Sequence, residues 1–202
     1  MKTILHAYCP LILSVLLVAM TSCGNSSDEK SEYTGTDSLF GRSLEAPVDD
    51  LNSNQSEILD LALGETEDGK VRGITIGEEL SKVKEKEKFT LFEELPGSVG
   101  YSYDTDHLET IDVVYYYAKG SKVTRIGIDI YLNSKASMED LWAISGRRMA
   151  KIYPESQQIT ENTVEFKGKT GKVIIEKIES KMDFGLKYSF EPASGNVVIA
   201  SK

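Results

Sequence analysis

The chain has 202 residues, 40% hydrophobic and 27% charged, with 16 Gly and 5 Pro; this is a globular composition that excludes collagen-like, wholly disordered and multi-span membrane classes. Two cysteines exclude a disulfide-stapled scaffold. A formal charge of −9 argues against a nucleic-acid partner.

The first element is a targeting signal. Lys2 supplies a positive n-region, and Pro10 to Met20 runs apolar except for Ser14. Such a stretch falls short of the roughly 20 residues that span a bilayer and has the length of a signal-peptide h-region. Met20-Thr21-Ser22-Cys23 follows. Over its first 23 residues the sequence resembles a bacterial lipoprotein precursor, with those four residues as the lipobox. The resemblance implies that residues 1–22 are removed and that Cys23 carries diacylglycerol and an N-linked acyl chain such as palmitate. Two or more chains hold a protein stably at a membrane, at roughly 0.8 kcal/mol per buried methylene. Gly24 rather than Asp follows the cysteine, so the inner-membrane retention mark of enteric lipoproteins is missing and the expected address is the outer membrane. The run from Cys23 to Lys30 is similar to lipoproteins of the Bacteroidota, some of which carry an acidic surface-display mark. Asp28 and Glu29 lie late for that mark, so the periplasmic and surface faces both stay open.

Charge then separates the tether from the body. Residues 28–70 hold 12 acidic against 3 basic side chains, whereas 71–202 hold 20 against 19. Residues 23–54 form a lipidated cysteine plus an acidic segment rich in Ser, Asp, Asn and Gly, which reads as a flexible tether. Within 55–70, Ser56 to Gly64 fits a short capped helix, while Leu59, Leu61 and Leu63 also alternate as a strand would. Either way the segment is expected to dock on the body.

The body, 71–202, shows one order of signals twice. In 71–132, Gly73-Ile-Thr-Ile-Gly77 leads to a helix from Glu78 to about Lys88. Strands are predicted at 98–103, 109–117 and 122–132, with Ile111, Val113, Tyr115 and Tyr117 on one face and Ile126, Ile128, Ile130 and Leu132 on one face. In 133–202, Ser137 opens a helix carrying Met138, Leu141, Trp142, Ser145, Met149 and Ile152 on one stripe, and Pro154 closes it. Strands are predicted at 161–167, 172–179 and 182–191, the last with Met182, Phe184, Leu186, Tyr188 and Phe190 inward. The expected fold is α+β: one compact domain of two tandem units, each a helix followed by a three-stranded antiparallel meander. Gly73-Ile-Thr-Ile-Gly77-Glu-Glu-Leu-Ser-Lys-Val83, the aromatic strands and Gly120-Ser-Lys-Val-Thr-Arg-Ile126 resemble small SmpA/OmlA-type envelope lipoproteins. The doubled form is similar to the β-lactamase-inhibitor-protein fold. Lys86-Glu-Lys-Phe89 stands where that family has Leu-Gly-x-Pro. The resemblance implies a non-enzymatic binding surface on an open sheet face.

Catalytic and metal motifs are weak. Once Cys23 carries lipid, Cys-His nucleophiles are removed and any Ser-His-Asp arrangement depends on His107, which lies in a turn-rich stretch, Tyr103 to Glu109. Asp104, Asp106 and Glu109 are hard oxygen ligands without EF-hand spacing. Gly168-Lys-Thr-Gly-Lys172 lacks P-loop spacing and precedes a strand, so it reads as a hairpin turn. Arg147, Arg148 and Lys151 suit the negative end of a helix dipole. Neither an enzyme, a cofactor nor a metal is expected. Tyr101, Tyr103, Tyr116 and Tyr131 are the candidate partner surface, for a protein or alternatively a glycan, because tyrosine is rigid and amphipathic.

Overall fold

A computed structural model of the chain describes residues 53–118 and 120–193. The signal segment, Cys23 and the tether to residue 52 lie outside the described residues. Three helices, α1 (Ser53–Leu63), α2 (Leu80–Lys86) and α3 (Lys135–Ile152), accompany a small hairpin of β1 (Lys70–Val71) and β2 (Ile74–Thr75). The remaining strands are β3 (Thr90–Leu95), β4 (Ser98–Asp104), β5 (Thr110–Tyr117), β6 (Val123–Leu132), β7 (Glu155–Thr160), β8 (Thr163–Lys167), β9 (Gly171–Glu179) and β10 (Phe184–Pro192). The fold is mixed α+β. These eight strands form one antiparallel sheet in the order β3-β4-β5-β6-β10-β9-β8-β7.

Each meander therefore has four strands, not three. The additions, β3 and β7, are the two edges of the sheet. An edge strand has one neighbour and little to bury, so neither carries the alternation that marks its partners; β3 is exposed along its whole length. The seam between the meanders is β6–β10, where Ile126, Ile128, Ile130 and Leu132 oppose Phe190, Tyr188, Leu186 and Phe184. These side chains, with Val99, Ile111, Val113, Tyr115, Val164, Phe166, Val173 and Ile175, form the covered face of the sheet. All three helices pack into the same cluster, α1 through Ile58, Leu59, Ala62 and Leu63, α2 through Leu80 and Val83, and α3 through Met138, Leu141, Trp142 and Met149.

The ambiguous segment is a helix. Leu61 is exposed, which breaks the strand-like alternation, and the buried set follows a helical face. Eleven residues are marginal as an isolated helix. Burying three aliphatic side chains at about 1.5–3 kcal/mol each holds it on α3 and the body. Gly64, at φ 53°, ends it with its N–H on the Asp60 carbonyl. The α3 cap is Ser134, one turn earlier than expected: its Oγ accepts from the Ser137 N–H at 3.1 Å. Met182, placed inward from the sequence, is instead exposed in the β9–β10 turn, whose geometry is set by Ser180 and Asp183.

Candidate functional site

The second face of the sheet is not covered by any described helix. Alternation and register assign its residues. A central row runs Gly100, Val114, Gly127, Ser189, Ile174 across β4, β5, β6, β10 and β9. On one side lies Ser98, Tyr116, Arg125; on the other, Ser102, Asp112, Asp129, Lys187, Glu176. The centre is small or aliphatic, and the flanks are charged.

Aromatic rings fill the places where glycine leaves the sheet bare. The Phe92 ring lies over Gly100, where a Cβ would meet it at 2.6 Å, and the Tyr116 ring leans over Gly127, where a Cβ would meet it at 3.5 Å. The Arg125 guanidinium stacks on Tyr116 at 3.8 Å from the ring centre. Phe92 and Arg125 were not singled out in the sequence. Phe92 sits at a β-bulge between Leu91 and Glu93, which destroys the period that would have pointed to it.

Asp129 is the unusual charge of this face. It lies in register between Asp112 and Lys187. Its Oδ2 is 3.9 Å from Lys187 Nζ, and its buried Oδ1 has no hydrogen-bond partner. Burial pushes its pKa up; Lys187 opposes this, and Asp112 and Glu176 add to it. Ser102 takes up Asp112 instead, donating at 2.6 Å.

The four tyrosines do not converge. Tyr101 is 7% exposed and makes an edge contact with Tyr115 on the covered face, so it is core and not surface. Tyr103 is on that same face and is exposed at the strand end, where it stacks on Phe89 at 5.0 Å. Tyr116 and Tyr131 are on the open face. Tyr116 pairs with Arg125 and Tyr131 with Thr110, so they stand six residues apart along the strands, about 20 Å. The four rings do not share one surface.

A cavity of about 600 Å³ lies elsewhere, between α1, the β1–β2 hairpin and the end of α2. Its key groups are Arg72 and Glu87. Arg72 and Gly73 both have positive φ in the two-residue turn between β1 and β2. Arg72 Nε and Nη2 donate to Glu87 at 3.0 and 2.7 Å, and Nη1 donates to the Leu61 and Ala62 carbonyls that end α1. Phe89 lies under the guanidinium at 4.1 Å. Glu87 also accepts from Tyr115 OH at 2.7 Å and from the Lys88 and Phe89 amides. Burial disfavours the Glu87 carboxylate, but the hydrogen bonds and charge of Arg72 outweigh it and hold its pKa low. Burial and Glu87 push the Tyr115 hydroxyl well up. At the mouth, Lys70 pairs with Glu65 and Lys86 with Glu78. Six of the lining charges are paired with one another, and Asp60 pairs with Arg148 of α3.

His107 is exposed in the β4–β5 turn, where its carbonyl accepts from Asn133 at 2.6 Å. Glu109 turns inward to Thr105 and Asn54, and Asp104 accepts from Thr110. Among the described residues no group of acids, histidines and cysteines is arranged to hold a metal ion. Gly168 to Lys172 is the β8–β9 turn, as its spacing suggested, yet it does cradle an anion. The amides of Lys169, Thr170 and Gly171 donate to the Asp68 carboxylate at 2.7–3.3 Å. Burial raises the Asp68 pKa, the three amides lower it, and the amides prevail.

No family model matches the chain, and no curated protein or solved structure matches it. No helix among the described residues is long and apolar enough to cross a membrane.

Proposed function

We propose that this chain is a non-catalytic lipoprotein of a bacterial envelope. Acyl groups on Cys23 hold it at the outer membrane, and the open face of its sheet binds a protein. Its body consists of two tandem units, each a helix followed by a four-stranded meander, joined at the β6–β10 seam. The likeness of its first 23 residues to lipoprotein precursors and of its body to SmpA/OmlA-type proteins supports this reading. The paired charges of the cavity suit a scaffold more than a reaction centre.

The observation that carries the binding role is the asymmetry of the sheet. One face is buried under three helices; the other keeps Val114, Tyr116, Ile174 and Ile178 half-exposed beside Arg125, Asp129 and Lys187. A small and aliphatic central row with an aromatic ring and charges on its flanks suits a protein interface. Eight strands at about 4.8 Å spacing and about 20 Å of strand length give roughly 700 Å². One side of a standard interface covers about 800 Å². A photo-crosslinking side chain at Ile174 should capture one reproducible protein in the native envelope, while the same group at Lys151 on α3 captures none. Equal capture at both positions, or none at Ile174, refutes the role of this face.

A further inference from the structure

Two side chains stand far more exposed than any other large apolar group among the described residues. Leu108 is 85% exposed and Met182 86%, whereas the next most exposed large hydrophobic residue, Ile159, is at 52%. Both sit at the tips of turns, and both turns belong to one end of the sheet. β5 begins beside the end of β6, and β6 ends beside the start of β10. The three loops there are tied together: Asn133 Nδ2 donates to the His107 carbonyl at 2.6 Å, and Lys135 pairs with Glu179 at 2.5 Å. Tyr131 lies at the same end and is exposed.

Neither packing nor backbone preference accounts for Leu108. Its φ is +64°, a conformation that costs a leucine about 1 kcal/mol and suits Gly or Asn. Its side chain has no cover to repay that cost. Met182 likewise is a flexible apolar group in water.

The chain enters the body at this end. α1 starts at Ser53, and Asn54 Nδ2 reaches Glu109, the residue after Leu108, at 3.4 Å. Between Cys23 and Ser53 lie 29 residues. An anchor at Cys23 is thus joined to the body at this end of the sheet. Three of the carboxylates around the tips are occupied: Asp104 accepts from Thr110, Asp183 from Ser180, and Glu179 pairs with Lys135; Asp106 is exposed in the Leu108 turn.

We infer that the end of the sheet carrying Leu108, Met182 and Tyr131 is a second membrane contact, whose apolar tips enter the interfacial layer of the lipid surface that holds Cys23. This rests on the lipid-anchor reading above. A single apolar insertion binds weakly, but beside an anchor the contact is intramolecular and fixes the orientation of the body. The open sheet face, perpendicular to the strand ends, then stands away from the bilayer and free for a partner.

The test uses the full lipidated chain in neutral phosphatidylcholine vesicles. An environment-sensitive dye is attached to Leu108→Cys, Met182→Cys or, at the opposite end of the sheet, Lys169→Cys. All three positions are exposed, so the substitutions spare the core. The expected result is a blue-shifted emission quenched by brominated lipid at 108 and 182, with neither effect at 169. If the protein floats with the vesicles and all three dyes report water, the docking is wrong and the anchor stands. If 108 and 182 leave water without bromolipid quenching, protein covers them and the docking is wrong. If the unsubstituted chain stays off the vesicles and takes dye at Cys23, the anchor reading fails and the docking fails with it.

Discussion

Glu87→Gln separates a structural ion pair from a decorative one. The Glu87 side chain is 1% exposed and that of Arg72 11%. Glu87 Oε1 accepts from Arg72 Nη2 and two amides, and Oε2 from Arg72 Nε and Tyr115 OH. A glutamine has one acceptor where the carboxylate has two, so one set of these donors then faces an N–H. Breaking one partner of a buried pair costs about 3–5 kcal/mol, because the other charge is left uncompensated. Arg72 would keep the Leu61 and Ala62 carbonyls and the Phe89 ring, so the lower end applies, about 3 kcal/mol. For a body of this size that is a fall in Tm of about 6–12 °C. Urea unfolding at pH 7, followed by Trp142 fluorescence, measures it. Adding Arg72→Met to Glu87→Met should cost at least 1 kcal/mol less than the sum of the two single changes. A loss under about 1 kcal/mol for Glu87→Gln, or strict additivity, would refute the assignment of this pair as the clasp between α1, the β1–β2 hairpin and β5.

The pKa values of both Glu87 and Asp68 are depressed in the folded protein, so the stability they contribute is complete above the unfolded carboxylate pKa of about 4 and is lost as pH falls through the folded values; Asp68→Asn should cost about 1–2 kcal/mol at pH 7 and flatten the acid limb of a stability–pH curve. Ser134→Ala removes the α3 cap and should cost about 1 kcal/mol in urea unfolding. At Gly185 a Cβ would collide with the Ile130 carbonyl of the neighbouring strand, so Gly185→Ala should destabilise the seam by about 2–3 kcal/mol, read as a lowered urea midpoint with unchanged slope.

Much of the sheet was legible because central strands leave a period in the sequence. Ile126, Ile128 and Ile130 alternate because one face of β6 meets the helices and the other does not, and Tyr115 and Val113 obey the same constraint. The α3 stripe was legible for the corresponding helical reason. β3 and β7 were not, since an edge strand is held by backbone hydrogen bonds to one neighbour and asks little of its side chains.

The candidate surface divides along the same line. That Tyr116 lies opposite Tyr115 follows from alternation alone. That Tyr101 joins the core, that Tyr103 stacks on Phe89, and that Tyr116 and Tyr131 stand far apart depend on which strands are neighbours and in what register. Composition and period are local properties, so the chain's residues alone give the charge division between 28–70 and 71–202 and the strands with a buried face. It takes the folded sheet to bring Arg72 to Glu87, the Gly168–Lys172 turn to the Asp68 carboxylate across about a hundred residues of chain, and Leu108 and Met182 to one end. Contacts between groups distant in sequence are set by how the sheet closes its order, and no local pattern encodes that order.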